Sequence, residues 1–122
     1  AVATDAHDGL LTQLLARGVP VLCEKPIALT LALTDEVITR ADAYRTPMQI
    51  GFQRRFDPAI RRLRSLVEAG DLGTLYSMSM VAHDRSPSPR EFIAGSGGIF
   101  RDMHVHDFDL VRWITGAEVE SV

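Results

Sequence analysis

"GVPVLCEKPIALT", residues 18–30, sets the architecture of the first half of the chain. The apolar run Val19–Cys23 reads as a short strand of the kind found inside a parallel sheet. Pro26, which has no N–H to give to a ladder, ends the segment. Upstream, Leu10, Leu11, Leu14 and Leu15 recur at helical spacing from about Asp8 to Arg17, and Gly18 is a natural stop. Downstream, Thr30 can cap a helix to about Tyr44 with Leu33, Val37, Ile38 and Ala41 on its inner face. "MQIGF" (48–52) reads as another short strand, and residues 1–4 as the end of a buried one. The first 52 residues therefore alternate strand, helix, strand, helix, strand. That is an α/β pattern, a doubly wound sheet with right-handed crossovers.

The pattern changes after residue 52, and we place a boundary there, giving segments 1–52 and 53–122. Asp57-Pro58 is a helix start, a cap followed by proline at the first helical position. Ile60, Leu63, Leu66 and Val67 form that helix's apolar stripe, and Gly70 ends it. "TLYSMSMVA" (74–82) reads as a half-exposed strand of an open sheet. A loop of roughly fourteen residues follows, long enough on length alone to be functional. It includes "RSPSPR" (85–90) and ends in "GSGG" (95–98). A final helix is expected from about Phe100 to Thr115, stopped by Gly116.

Bulk composition excludes several function classes. With 46% hydrophobic and 24% charged residues the chain is an ordinary globular one. Thirteen basic against sixteen acidic residues leave a net charge of −3, with no electrostatic reason to expect nucleic acid or an anionic membrane as partner. The single cysteine, Cys23, has no internal disulfide partner, and a reducing cytoplasm is the expected location. No apolar run approaches the ~20 residues of a membrane span. The chain begins without Met in a strand-like run and stops in "AEVESV", so the expectation is a piece of a longer protein.

Chemistry concentrates in "DMHVHDFDLVRW" (102–113). If 100–115 is one helix, Asp102 and His106 lie one turn apart on one face, with Asp109 and Trp113 continuing the stripe. Such a carboxylate can fix the imidazole tautomer and favour the imidazolium, the arrangement of a general base and its orienter. Spacing alone favours the plainer reading, a solvated pair worth a few tenths of a kcal/mol. His104 and His106 also supply ligand types that zinc accepts, with Asp102, Asp107 or His83. On a helix, however, positions i and i+2 point apart, and no metal is expected. Lys25, at a strand end, can place an ammonium where a hydroxyl loses its proton, or be an ordinary surface charge beside Glu24. Cys23 reads as core. Gln53, Arg54 and Arg55 sit at a strand rim and can contact a ligand or only solvate the turn.

Four segments in this order, "VATDAH", "VLCEKPIALT", "GFQRRFDP" and "GSGGIFRDMHVHDFDLVRW", resemble the glucose–fructose oxidoreductase and inositol dehydrogenase family (Gfo/Idh/MocA), with an inositol 2-dehydrogenase-like flavour. The likeness covers nearly the whole chain. It implies the C-terminal part of a Rossmann-type doubly wound sheet, followed by the start of an α+β substrate domain with an open sheet. It implies NAD or NADP as cofactor and a sugar or cyclic polyol as substrate, with hydride passing between a secondary hydroxyl and nicotinamide. By position, Lys25, Asp102 and His106 would be catalytic: Lys25 bridges hydroxyl and nicotinamide, His106 takes the proton, and Asp102 orients substrate or supports the transfer. Thr4, His7, Glu24, Lys25, Pro26, Gln53 and Arg54 would line the cofactor. Asp5 stands where the family usually has proline, which puts the contacts of Thr4 and His7 in question. His83, Asp84 and Arg85 lie in a region that varies with substrate, and receive no role. A homo-oligomer is expected from the same resemblance.

Two rival readings remain: a non-catalytic relative that senses a ligand or binds a partner, and a metal-dependent hydrolase built on His104 and His106. The Gly-x-Gly-x-x-Gly turn that receives a pyrophosphate on a helix N-terminus is not among these residues. The 122-residue chain by itself is therefore expected to bind NADH weakly or not at all and to be inactive. Fluorescence titration of NADH against it checks this, and tight saturable binding contradicts it.

Overall fold

A computed structural model describes residues 2–122 and divides them into two compact units, one ending at Gly51 and a second spanning Phe52–Val122. The first unit is built on α1 (His7–Ala16), β1 (Val21–Cys23), α2 (Leu31–Tyr44) and β2 (Met48–Ile50). β1 and β2 pair in parallel, with Val21 opposite Met48, Leu22 opposite Gln49 and Cys23 opposite Ile50. A parallel pair needs a crossover long enough to return the chain to the starting end, and α2 supplies it.

The helices end where their sequences dictate. Thr30 accepts from the Leu33 N–H at 3.2 Å and caps α2. Gly18 follows α1 with φ of 68°, the left-handed conformation that lets a chain leave a helix without a Cβ clash. Thr46 donates to the Leu15 carbonyl at 3.1 Å, satisfying a buried acceptor in the last turn of α1. Leu11 and Leu15 from α1, Val37 and Ala41 from α2 and Cys23 from β1 form the core, with Val21, Ile27, Met48 and Ile50 packed against it.

Three expectations change in this unit. Val2 and Ala3 are exposed and not in a strand, and Thr4–Ala6 form a 3-10 turn; Ala1 lies outside the described residues. Among the described residues no neighbouring backbone takes a ladder from Val2 or Ala3, and a strand exists only through such bonds. Ile38 is 41% exposed, because one step of about 100° beyond the buried Val37 carries it off the packed stripe. Leu22 is 70% exposed, so β1 is covered on one face only among the described residues, not buried on both.

The second unit holds α3 (Pro58–Glu68), α4 (Arg90–Gly95), α5 (Ile99–Asp102) and α6 (Val105–Thr115). Asp57 caps α3 as its sequence predicts, accepting from Ala59 N–H at 2.8 Å and Ile60 N–H at 3.3 Å, with Pro58 leading the helix. Leu110 and Ile114 of α6 are its buried apolar residues. The Arg64 guanidinium lies 4.4 Å from the Trp113 ring centroid.

Here the expected strand at 74–82 does not form; the segment is irregular, with Tyr76 92% and Val81 76% exposed. Loose alternation offers a face for a sheet, but no described strand pairs with it. The long loop contains a helix, α4, that its prolines did not announce.

The expected helix from Phe100 to Thr115 is broken. The His104 N–H reaches back to the Ile99 carbonyl, and the His106 N–H takes the Met103 carbonyl, so the regular ladder is interrupted at Met103–His104. His104 is the N-cap of α6, and Asp107, at the third helical position, reaches back to accept from its ring Nδ1 at 2.8 Å. A carboxylate in that place completes a helix start much as a capping box does, and suits the helix dipole.

Because Leu15 is fully buried, Leu15→Ala is expected to cost about 2–5 kcal/mol, and Ile38→Ala a small fraction of that. Urea unfolding midpoints of the two variants compare them directly.

Candidate functional site

In the first unit the site grows from the carboxyl ends of two adjacent parallel strands. The Gly51 N–H donates to the Cys23 carbonyl at 2.7 Å, closing the ladder one residue beyond β2. Glu24, Lys25 and Pro26 follow at once, joined by a cis Lys25–Pro26 peptide. Ligands of open α/β sheets bind outside this end of the strands. Gly51 leaves room for the Glu24 carboxylate: a Cβ there would lie 3.0 Å from Glu24 Oε2 and 3.3 Å from its Cδ, tight contacts that the side chain would have to relieve by shifting. The Glu24 carboxylate therefore sits directly against bare backbone.

His7 opens α1 and is buried. Its Nδ1 donates to the Pro26 carbonyl at 2.9 Å, which requires the proton on Nδ1 and leaves Nε2 as the acceptor. The start of α1 is thereby tied to the Glu-Lys-Pro segment, and its N-cap, Ala6, offers no side-chain cap. Thr4 is half-buried in the preceding 3-10 turn, and Lys25 and Pro26 are half-buried in their loop. The Cys23 thiol donates to the Glu24 carbonyl at 3.1 Å. Burial pushes its pKa up, and the Glu24 charge adds to the effect. That is the behaviour of a core thiol and not of a nucleophile.

In the second unit a 3-10 turn, Gln53–Phe56, faces α6. Arg54 Nη1 donates to Asp107 Oδ1 at 3.2 Å. Arg55 grips Asp109 with two parallel bonds, Nε to Oδ2 at 2.8 Å and Nη2 to Oδ1. Asp109 raises the Arg55 pKa further through that hydrogen bond, and the guanidinium carbon lies 5.6 Å from the Phe52 ring centroid. His106 is buried in the first turn of α6, edge-to-face with Phe52 at 6.3 Å. Asp102, half-buried, ends α5. Gln53 is exposed.

The continuous helical stripe expected to carry Asp102, His106, Asp109 and Trp113 is thus corrected. Asp102 lies before the break and the other three after it, and Asp109 is held by Arg55. At the start of α6, His104 at the N-cap is hydrogen-bonded to Asp107. Sequence reading missed Asp107 and Asp109 as partners of Arg54 and Arg55, since the pairs are separated by 53 and 54 residues. Among the described residues no cluster of three or more His, Cys, Asp or Glu is placed to hold a metal ion. No described helix is long and apolar enough to cross a membrane.

Residues 1–52 match the model of an oxidoreductase family with an NAD-binding Rossmann fold, and residues 60–122 match the GFO/IDH/MocA C-terminal domain. The chain belongs to the GFO/IDH/MocA family. Its architecture is therefore mixed α/β, a Rossmann-like NAD-binding portion followed by the family's C-terminal domain. Among its GFO/IDH/MocA relatives is the myo-inositol dehydrogenase Hyg17 of Streptomyces leeuwenhoekii, 44% identical over 119 residues, covering 98% of this chain and 37% of that protein. A crystal structure of a myo-inositol dehydrogenase from Corynebacterium glutamicum superimposes with a TM-score of 0.83 at 37% identity, over 93% of this chain and 34% of that one. That of a Lactobacillus casei scyllo-inositol dehydrogenase with bound NAD(H) and scyllo-inositol gives 0.75 at 29% identity, over 97% and 36%. The chain spans about 37% of the length of Hyg17.

The raised pKa and burial of Cys23 predict slow alkylation. Iodoacetamide at neutral pH is expected to modify the native protein well below the rate of a free thiol such as glutathione, and at that rate in urea. Fast native-state labelling followed by mass spectrometry would contradict the core assignment.

Proposed function

We propose that these residues belong to an NAD(P)-dependent dehydrogenase that oxidises a secondary hydroxyl of a cyclic polyol or sugar, inositols first, and reduces the ketone in reverse. The observation that carries the reading is the position of Lys25 immediately beyond the carboxyl end of a parallel strand, in a chain with two family matches. The bound inositol and NAD(H) of the Lactobacillus casei relative support both the substrate class and the cofactor.

The residues present fit a nicotinamide dinucleotide. Bare backbone at Gly51, the Glu24 carboxylate and the uncapped start of α1, tied by His7 to Pro26, gather at the ligand-binding end of the sheet. Thr4, His7, Glu24, Lys25, Pro26, Gln53 and Arg54 are the residues we assign to holding it. When bound, the nicotinamide ring takes the hydride. The chain supplies the rest. The His106 imidazole accepts the hydroxyl proton as the C–H bond breaks, acting as general base. The Lys25 ammonium stabilises the negative charge that develops on oxygen. Asp102 orients the substrate or supports the proton transfer. Burial of His106 against Phe52 keeps its ring in one orientation. A homo-oligomer, carried by the family resemblance, and a cytoplasmic location, carried by the single cysteine, stand with this proposal.

In the full-length protein, His106→Ala and Asp102→Asn are each expected to lower kcat by about a hundred-fold or more, the scale of lost acid–base catalysis. The dissociation constant for NADH stays unchanged. Inositol-dependent NADH absorbance and an NADH fluorescence titration read the two effects. Near-wild-type turnover in either variant overturns the assignment of that residue.

A further inference from the structure

The proposed base and its neighbouring carboxylate flank a helix break, and Asp107 holds that break through both of its oxygens. Met103 and His104 form the turn between Asp102, the last residue of α5, and His106 in the first turn of α6. Regular helix geometry does not fix this segment, because its ladder is interrupted there. Asp107 takes over. Its side chain is 11% exposed, and each oxygen has its own donor: Arg54 Nη1 on Oδ1 at 3.2 Å and His104 Nδ1 on Oδ2 at 2.8 Å. The His104 ring also has two aromatic neighbours, Phe100 with ring centroids 5.8 Å apart and Phe108 at 6.5 Å. A carboxylate buried to this degree is costly unless its oxygens are engaged, so both donors are tied to it as firmly as it is to them.

We propose that Asp107 is a positioning residue: by accepting from Arg54 and His104 together it fixes the Met103–His104 turn, and with it the relative placement of Asp102 and His106. This inference rests on the dehydrogenase reading above and extends it to residues that touch neither substrate nor cofactor in that reading. Arg54 acts on the turn through Asp107, in addition to the cofactor contact assigned to it. His104 acts through its Nδ1 proton alone. Its second nitrogen is not needed, and any side chain that presents a donor at the same point serves as well.

That last property separates positioning from bulk stability. His104→Leu keeps an apolar side chain beside the two phenylalanines and removes the donor. His104→Asn restores an N–H close to the place of Nδ1. With myo-inositol and NAD+ as probes and the full-length protein, we expect His104→Leu and Asp107→Asn to lower kcat by about ten-fold or more, since small displacements of reacting groups cost that much. The KM for NAD+ stays within about two-fold of wild type, and His104→Asn recovers most of the lost kcat. Circular dichroism checks that each variant is folded. Equal kcat in His104→Leu, or failure of His104→Asn to exceed it, overturns the proposal.

A second measurement does not depend on turnover. Imidazole 15N NMR at a pH where the ring is neutral should show His104 protonated on Nδ1, and this preference should vanish in Asp107→Asn. The opposite tautomer in the wild-type protein overturns the clamp. A wild-type protein with no activity on any inositol or aldose, yet with the Nδ1 tautomer in place, rejects the dehydrogenase reading and with it the catalytic consequence of the clamp.

Discussion

Parallel pairing of β1 with β2 is the constraint that organises the first unit. Two strands that run the same way must present their carboxyl ends side by side, and α2 must cross over between them. Whatever follows each strand is then delivered to one edge. Glu24, Lys25 and Pro26 arrive there from β1 and Gly51 from β2, and the Gly51–Cys23 hydrogen bond draws the two exits together. Glu24 approaches Gly51 closely at the same place, and a Cβ at position 51 would press on its carboxylate. His7 adds the third element, joining the start of α1 to the same edge through Pro26.

The second unit relies on charge where the first relies on backbone. Asp107 and Asp109 are buried in α6, and the arginines that answer them come from the Gln53–Phe56 turn. Buried carboxylates must find donors, and the adjacent arginines of one short turn reach two carboxylates of the same helix. The same turn follows Phe52, whose ring packs against His106 and beneath the Arg55 guanidinium. One short segment therefore sets the environment of the imidazole, while the Met103–His104 break sets where its helix begins.

Much of this was legible beforehand. The Thr30 and Asp57 caps, the Gly18 and Gly116 stops and the apolar stripe through Val37 and Ala41 follow from forces that act within a turn or two of chain. The four motifs identified the family, and the family models agree. The irregular path of 74–82, where a strand was expected, was not legible, since alternation proposes a strand but a partner makes one. The break at Met103–His104 was hidden for a related reason. Every residue from Phe100 to Thr115 tolerates a helix, and the interruption lies in how His104 and Asp107 cap the start of α6.

The sequence by itself determined the element types over most of the chain, the α/β character, the family, and the residue types available for chemistry, because propensity, capping and motif spacing are local properties. Only the tertiary structure decided which arginine meets which aspartate, that His104 meets Asp107 across the start of α6, and that the Glu24 carboxylate lies against Gly51. Those partners stand 53, 54 and 27 residues apart or depend on a helix break, and such meetings are fixed by the path of the whole chain and not by any window of it.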